Sequence, residues 1–134
     1  MEQSSFSLEM AVRDYECDLQ GVVNNAVYQN YLEHARHEYL KAIGIDFAAL
    51  AARGINLVVT RVEIDYRFSL ASGDRFVVEV RPERISKVRI GFRQDIRRLP
   101  DGREVVNALV VGTALNSRGR PQLPKELDEA LGSL

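Results

Sequence analysis

A single change of hydrophobic period organises this chain. Phe6, Leu8, Met10 and Val12 alternate with Ser7, Glu9, Ala11 and Arg13, the period-two pattern of a strand with one buried face. From Asn25 the period becomes helical: Tyr28, Tyr31, Leu32, Ala35, Tyr39, Ala42 and Ile43 fall three and four apart and make one apolar stripe, with Asn30, Glu33, His37 and Lys41 opposite. Gly44 stands where a helix C-terminus favours positive φ, so the helix is expected to end near Ile43. A second, short helical turn is predicted over Asp46–Ala52.

Alternation then returns. Val58, Thr60, Val62, Ile64, Tyr66, Phe68 and Leu70 share one face of a long strand, with Arg61, Glu63, Asp65 and Arg67 on the other. Ser72-Gly73-Asp74 turns the chain into Phe76, Val78 and Val80, and a further run aligns Val88, Ile90, Phe92 and Ile96. Pro100-Asp101-Gly102 signals a tight hairpin, and Val105–Leu115, apolar at both parities, belongs near the middle of the sheet. Asn116–Pro121 reads as a polar loop and Leu123–Leu131 as a short terminal helix with frayed last residues. One strand, a long helix and four strands joined mainly by hairpin-type turns imply an α+β domain, an antiparallel sheet with one helix packed on it.

A chain of 134 residues, 46% hydrophobic and 28% charged, suits one globular domain spanning residues 1–134 that folds without metal or disulfide. The net charge of −1 lacks the basic excess of a dedicated nucleic-acid binder. No apolar run approaches the roughly 18 residues of a membrane span. The lone Cys17 and the absence of a basic-then-apolar leader over Met1–Met10 point to the reducing cytoplasm.

The polar segment between the first strand and the long helix can carry chemistry. Asp14, Glu16 and Asp18 lie just before a helix start, whose unpaired N–H groups bind negative charge or polarise a carbonyl. Thioester hydrolysis needs a carboxylate to attack the carbonyl or deprotonate water, and fixed donors for the oxyanion. Asp18 and the amides near Gly21, Val22, Val23, Asn24 and Asn25 could supply both, and Gly21 admits close approach of a ligand. The residues alone are equally consistent with Asp18 as a turn or helix cap, the commoner use of Asp at such positions.

The string Tyr15-Glu16-Cys17-Asp18-Leu19-Gln20-Gly21-Val22-Val23, followed by Asn25, Tyr28, Tyr31, Leu32, Glu33, Arg36 and the Gly44 helix end, resembles the signature of the 4-hydroxybenzoyl-CoA thioesterase family. Asn24-Asn25-Ala26-Val27-Tyr28 is similar to the small acyl-lipid thioesterases of plastids and their bacterial relatives. The resemblance implies a hotdog fold, an antiparallel sheet wrapped around one long central helix, and hydrolysis of an acyl-CoA or acyl carrier protein thioester without cofactor. It implies that Asp18 is the catalytic carboxylate, as nucleophile or as general base. Some related enzymes carry His where this chain has Asn25, which can donate a hydrogen bond but cannot titrate. Asn25 would then hold the substrate carbonyl or the water, or cap the helix; Tyr15 would orient the carboxylate or simply pack.

Tyr28, Tyr31 and Phe68 are candidates for the acyl pocket, with plain core as the alternative. Arg84, Lys87 and Arg89 could receive the phosphates of coenzyme A or an acidic carrier protein, or form a solvated face balanced by Glu79, Glu83 and Asp95. His34 and His37 with Glu33 and Glu38 fall short of the converging ligands a zinc site needs, so no metal is expected. Cys17 reads as a small packed residue. The family implies a homodimer or homotetramer with acyl pockets at the subunit boundary. The hydratase signature Asp-x-Asn-Pro-x-His is absent, leaving a non-catalytic acyl-CoA sensor as the alternative function.

Overall fold

The computed structural model describes residues 5–132; the expectations for the first four residues and for fraying of the last two lie outside the described residues. The elements are β1 (Phe6–Ala11), a 3-10 turn (Asp14–Glu16), α1 (Asn25–Ala42), α2 (Phe47–Ala52), β2 (Asn56–Tyr66), β3 (Arg75–Arg84), β4 (Ile90–Leu99), β5 (Glu104–Leu115) and α3 (Lys125–Leu131). The strands form one antiparallel sheet in the order β1-β3-β4-β5-β2, with α1 packed on β1 and β3.

Helix α1 runs from Asn25 to its expected end near Ile43, but its N-cap is Asn24 and not Asn25, which is already the first helical residue. The Asn24 side chain accepts from Ala26 N–H at 2.9 Å, satisfying one of the helix's free first-turn donors. At the other end Gly44 takes φ +92, Gly44 N–H donates to Lys41 O at 3.0 Å and Ile45 N–H to Leu40 O at 2.9 Å, a Schellman closure that tucks Leu40 and Ile45 into the core. The buried stripe is therefore Tyr28, Tyr31, Leu32, Ala35, Tyr39 and Leu40; Ala42 and Ile43, expected in it, are exposed as the chain peels away.

Two expectations about the sheet are corrected. The run Val58–Leu70 and β3 are not a hairpin pair, because β3 lies between β1 and β4 while β2 sits at the far edge beyond β5. Nor does β2 present one buried face: it ends at Tyr66 and a bulge at Thr60 shifts its register, so Leu57 packs on the core before the bulge and Ile64 after it. As an edge strand β2 leaves Val59, Val62 and Tyr66 exposed to 51%, 40% and 47%. Hairpin β4–β5 turns at Pro100-Asp101-Gly102 as expected, with Gly102 N–H donating to Arg98 O at 2.7 Å.

The consequence for the site lies in the link from β2 to β3. Because these strands are not neighbours, residues 67–74 must cross one end of the sheet. The crossing is pinned at Val105 O, which accepts from Arg67 N–H at 2.8 Å, and at the Tyr28 hydroxyl, which accepts from Leu70 N–H at 3.0 Å. This crossing chain supports the segment that precedes α1.

Candidate active site

Residues 17–23 fold into a miniature hairpin. Asp18 N–H donates to Val22 O at 2.9 Å, and Gly21 N–H returns to Asp18 O at 2.9 Å. Gly21, at φ +82, takes the left-handed position that closes such a turn. The carboxylate Oδ1 of Asp18 accepts from Gln20 N–H at 2.9 Å, so one oxygen braces the turn. Among the described residues no donor reaches Oδ2, and Asp18 is exposed beside the start of α1.

The hairpin is held from three sides. Val22 bridges Ala71, Val23 N–H donates to Leu70 O at 2.9 Å, and Asn24 N–H donates to Glu16 O at 3.2 Å. Glu16 is the hub: Oε1 accepts from the Tyr31 hydroxyl at 2.7 Å and Arg13 N–H at 2.9 Å, while Oε2 pairs with the Arg13 guanidinium at 2.8 Å. Burial alone would raise the Glu16 carboxyl; these donors together hold it below its ordinary range. Burial, then Glu16, pushes the Tyr31 hydroxyl strongly up, so it stays a proton donor to the carboxylate. Burial followed by Asp14, Asp18 and Glu16 pushes the Cys17 thiol up, away from nucleophilic use.

These hydrogen bonds sort the expected oxyanion donors. The amides of Val23 and Asn24 are spent on Leu70 and Glu16, and Ala26 N–H on Asn24. Among the described residues the amides of Val22 and Asn25 have no acceptor, and Asn25 sits exposed at the first helical position. Tyr15 is 80% exposed and no hydrogen bond joins it to Asp18 among the described residues. Tyr28 and Tyr31 are core residues, 2% and 1% exposed, with hydroxyls committed to Leu70 and Glu16; they build the platform rather than line an open pocket. Phe68 lies under the guanidinium groups of Arg98 and Arg103, 4.6 and 4.3 Å from its ring centre, at the β4–β5 turn.

Arg84, Lys87 and Arg89 are not brought to Asp18. They lie at the Arg84–Ile90 end of the β3–β4 pair, whereas the hairpin rests on Leu70 and Ala71 of the crossing chain that leads into the Arg75–Leu99 end. Arg84 is bound to Asp128 at 2.7 Å. Arg81 and Arg97 are likewise paired, with Asp95 at 3.3 Å and Glu79 at 2.8 Å, the balanced face that was the alternative reading. Lys87 and Arg89 form no ion pair among the described residues.

The family model of the thioesterase-like superfamily matches residues 12–131. The chain belongs to that superfamily. It is 43% identical over 114 residues to the chloroplastic acyl-acyl carrier protein thioesterase ATL2 of Arabidopsis thaliana, covering 85% of this chain and 61% of that protein. This chain thus spans about six tenths of that relative's length. A putative esterase of Synechocystis is 31% identical over 129 residues, covering 94% of this chain and 78% of its own. The structure of a 1,4-dihydroxy-2-naphthoyl-CoA thioesterase from Synechocystis superposes with a TM-score of 0.89 at 19% identity, each chain covered to 98%, a likeness of fold. A probable thioesterase from Escherichia coli does so at 0.81 with 28% identity, over 93% of this chain and 95% of that one. The hotdog fold implied by the motif is thereby established.

In this thioesterase-like chain a groove runs between α1 and edge strand β2, starting at Gln29, one helical turn beyond Asn25. Two contiguous hollows of about 240 Å³ each share Glu33, Arg36, Val59 and Val110, and the farther one ends against Phe47 and Leu127. Arg36 Nη1 donates to Gln94 Oε1 at 3.1 Å, and Gln94, fully buried, donates its amide to Leu32 O at 3.0 Å. Burial lowers the Arg36 guanidinium below its ordinary value, with Glu33 opposing. The Arg36–Gln94 pair was not singled out from the sequence. Its signal was a lone polar residue on the buried parity of β4, between Phe92 and Ile96.

Proposed function

We propose that this protein hydrolyses an acyl thioester of coenzyme A or acyl carrier protein, with Asp18 as the catalytic carboxylate. The observation that carries the reading is that among the described residues Oδ2 of Asp18 has no donor, on a hairpin braced by Glu16, Leu70 and Ala71 whose continuation into α1 leaves the amides of Val22 and Asn25 without acceptors. A carboxylate oxygen free of donors is the more basic and nucleophilic one. It attacks the thioester carbon to give an anhydride that water then opens, releasing the acid and restoring Asp18, or it removes a proton from the attacking water. The amides of Val22 and Asn25, with the Asn25 side chain, stabilise the negative charge that moves onto the carbonyl oxygen, and the thiolate departs. Gly21 leaves the approach open, since among the described residues no atom beyond its own chain neighbours lies within 4 Å of where its Cβ would be.

We further propose that one hotdog unit, residues 1–134, works as a homodimer or homotetramer in the cytoplasm, a setting supported by the lone Cys17. Among the described residues strand β2 pairs on one side only, and it exposes Val59, Val62 and Tyr66. An unpaired apolar edge favours pairing with another copy. Antiparallel pairing of two such edges would set the Tyr66 end, whose hydroxyl lies 3.5 Å from Asn25 O, against the Leu57–Val59 end of the second copy. The acyl pocket would then lie at the boundary, and Lys87 and Arg89 would serve coenzyme A or the carrier protein only from the second copy.

The test is thiol release from a panel of aromatic and medium-to-long acyl-CoA and acyl carrier protein thioesters. The Asp18→Asn variant should bind but lose about a hundredfold or more in rate. Equal rates would reduce Asp18 to a turn cap, and binding of acyl-CoA without turnover of any thioester would mark a sensor.

A further inference from the structure

Arg36 is out of place in an apolar groove. Most of the groove is apolar, from Val59 and Val110 to Phe92 and Phe47, and a half-buried cation there needs an acceptor. Among the described residues no carboxylate forms an ion pair with it: Glu33, which also lines both hollows and partly offsets the effect of burial on the Arg36 charge, lies 3.8 Å from His37. Gln94 accepts a single hydrogen bond, and its orientation is set because its Nε2 must satisfy Leu32 O. A guanidinium has five N–H donors, so most of its capacity is left for an occupant of the groove.

We infer that Arg36 selects acyl groups carrying a hydrogen-bond-accepting oxygen remote from the thioester, a distal hydroxyl or carboxylate, over plain saturated chains. The inference rests on the thioesterase reading, in which the thioester carbonyl sits near Asn25. From Gln29 to Leu40 the groove follows eleven residue-to-residue rises of helix, about 16 Å at 1.5 Å each, the scale of a medium-length acyl chain. A saturated chain passing Arg36 strips water from the guanidinium and returns nothing, whereas a carboxylate can accept two parallel N–H bonds.

The experiment compares kcat/KM of the full chain for decanoyl-CoA, ω-hydroxydecanoyl-CoA and ω-carboxynonanoyl-CoA, in wild type, Arg36→Met, Arg36→Lys and Gln94→Glu. Wild type should favour each oxygenated substrate over decanoyl-CoA by about tenfold or more, the carboxylate most. Arg36→Met should bring both ratios near one, and Arg36→Lys should keep part of the preference. Gln94→Glu retains the guanidinium but gives it a carboxylate partner, and should abolish the preference for the ω-carboxylate. Wild-type ratios near one would overturn the inference while leaving the thioesterase reading standing. So would an Arg36→Met variant whose three rates fall together with the ratios intact, which would make Arg36 a strut or a subunit contact. A wild type inert to all three, yet active on other thioesters, also removes the inference alone; inertness to every thioester removes both.

Discussion

Removing one hydroxyl, with Tyr31→Phe, tests whether Glu16 is the hub that holds the Asp18 hairpin to α1. Tyr31 is 1% exposed and the Glu16 side chain 10%, so water cannot readily replace the lost donor. A hydrogen bond to a charged group contributes about 1.5–3 kcal/mol, and the loss should be of that size. For a domain of this length that lowers Tm by about 5–10 °C. The pH dependence follows from the depressed Glu16 carboxyl, held below its ordinary 4.5. A carboxylate whose folded pKa is depressed contributes stability above its unfolded pKa and loses it as pH falls through the folded one. The wild-type advantage over Tyr31→Phe should therefore be full near pH 7 and shrink in acid, as pH falls through the depressed Glu16 carboxyl. Urea titrations at both pH values measure it, and a double-mutant cycle with Glu16→Gln isolates the coupling. A loss under about 0.5 kcal/mol at neutral pH, or a gap that does not narrow in acid, would refute the hub.

Three further outcomes are expected. Gly21→Ala meets no steric contact but forces a side chain to φ +82, which should cost about 1–2 kcal/mol and lower thiol release by distorting the turn under Asp18; unchanged stability by urea titration would count against the strained turn. Gly112→Ala would place a Cβ 2.7 Å from the backbone oxygen of Val58, so β2 must move off β5; reduced amide-exchange protection along β2 should accompany a fall in Tm, and unaltered protection would contradict the close approach. Val62→Lys, on the exposed β2 edge, should shift the protein toward monomer in sedimentation while leaving its circular dichroism intact; an unchanged sedimentation coefficient would exclude this edge as the subunit contact.

Much of the fold was legible because its signals are local. Gly44 ends α1 through hydrogen bonds spanning three and five residues, and the turn at Pro100-Asp101-Gly102 joins adjacent strands; the cap fell one residue earlier than expected, on Asn24. The errors came from non-local packing. Ile43 fits the helical period as well as Leu40 does, but the closure at Gly44 sends Ile45 inward instead. The alternation of Val58–Leu70 carries no mark of the bulge at Thr60, nor of the strand's place at the edge.

The same division runs through the site. The sequence by itself determined that a polar, glycine-containing turn bearing Asp18 precedes a capped helix, because turn and cap chemistry depend on near neighbours. Only the tertiary structure decided which donors remain free there. Val23 and Asn24 lose their amides to Leu70 and Glu16, and Glu16 becomes a hub through Tyr31, fifteen residues away. Tertiary packing also carried Arg84, Lys87 and Arg89 to the far end of the sheet and set Arg36 against Gln94 across 58 positions of sequence. A buried donor or acceptor must find a partner wherever the fold brings one, and no local pattern names a partner that distant.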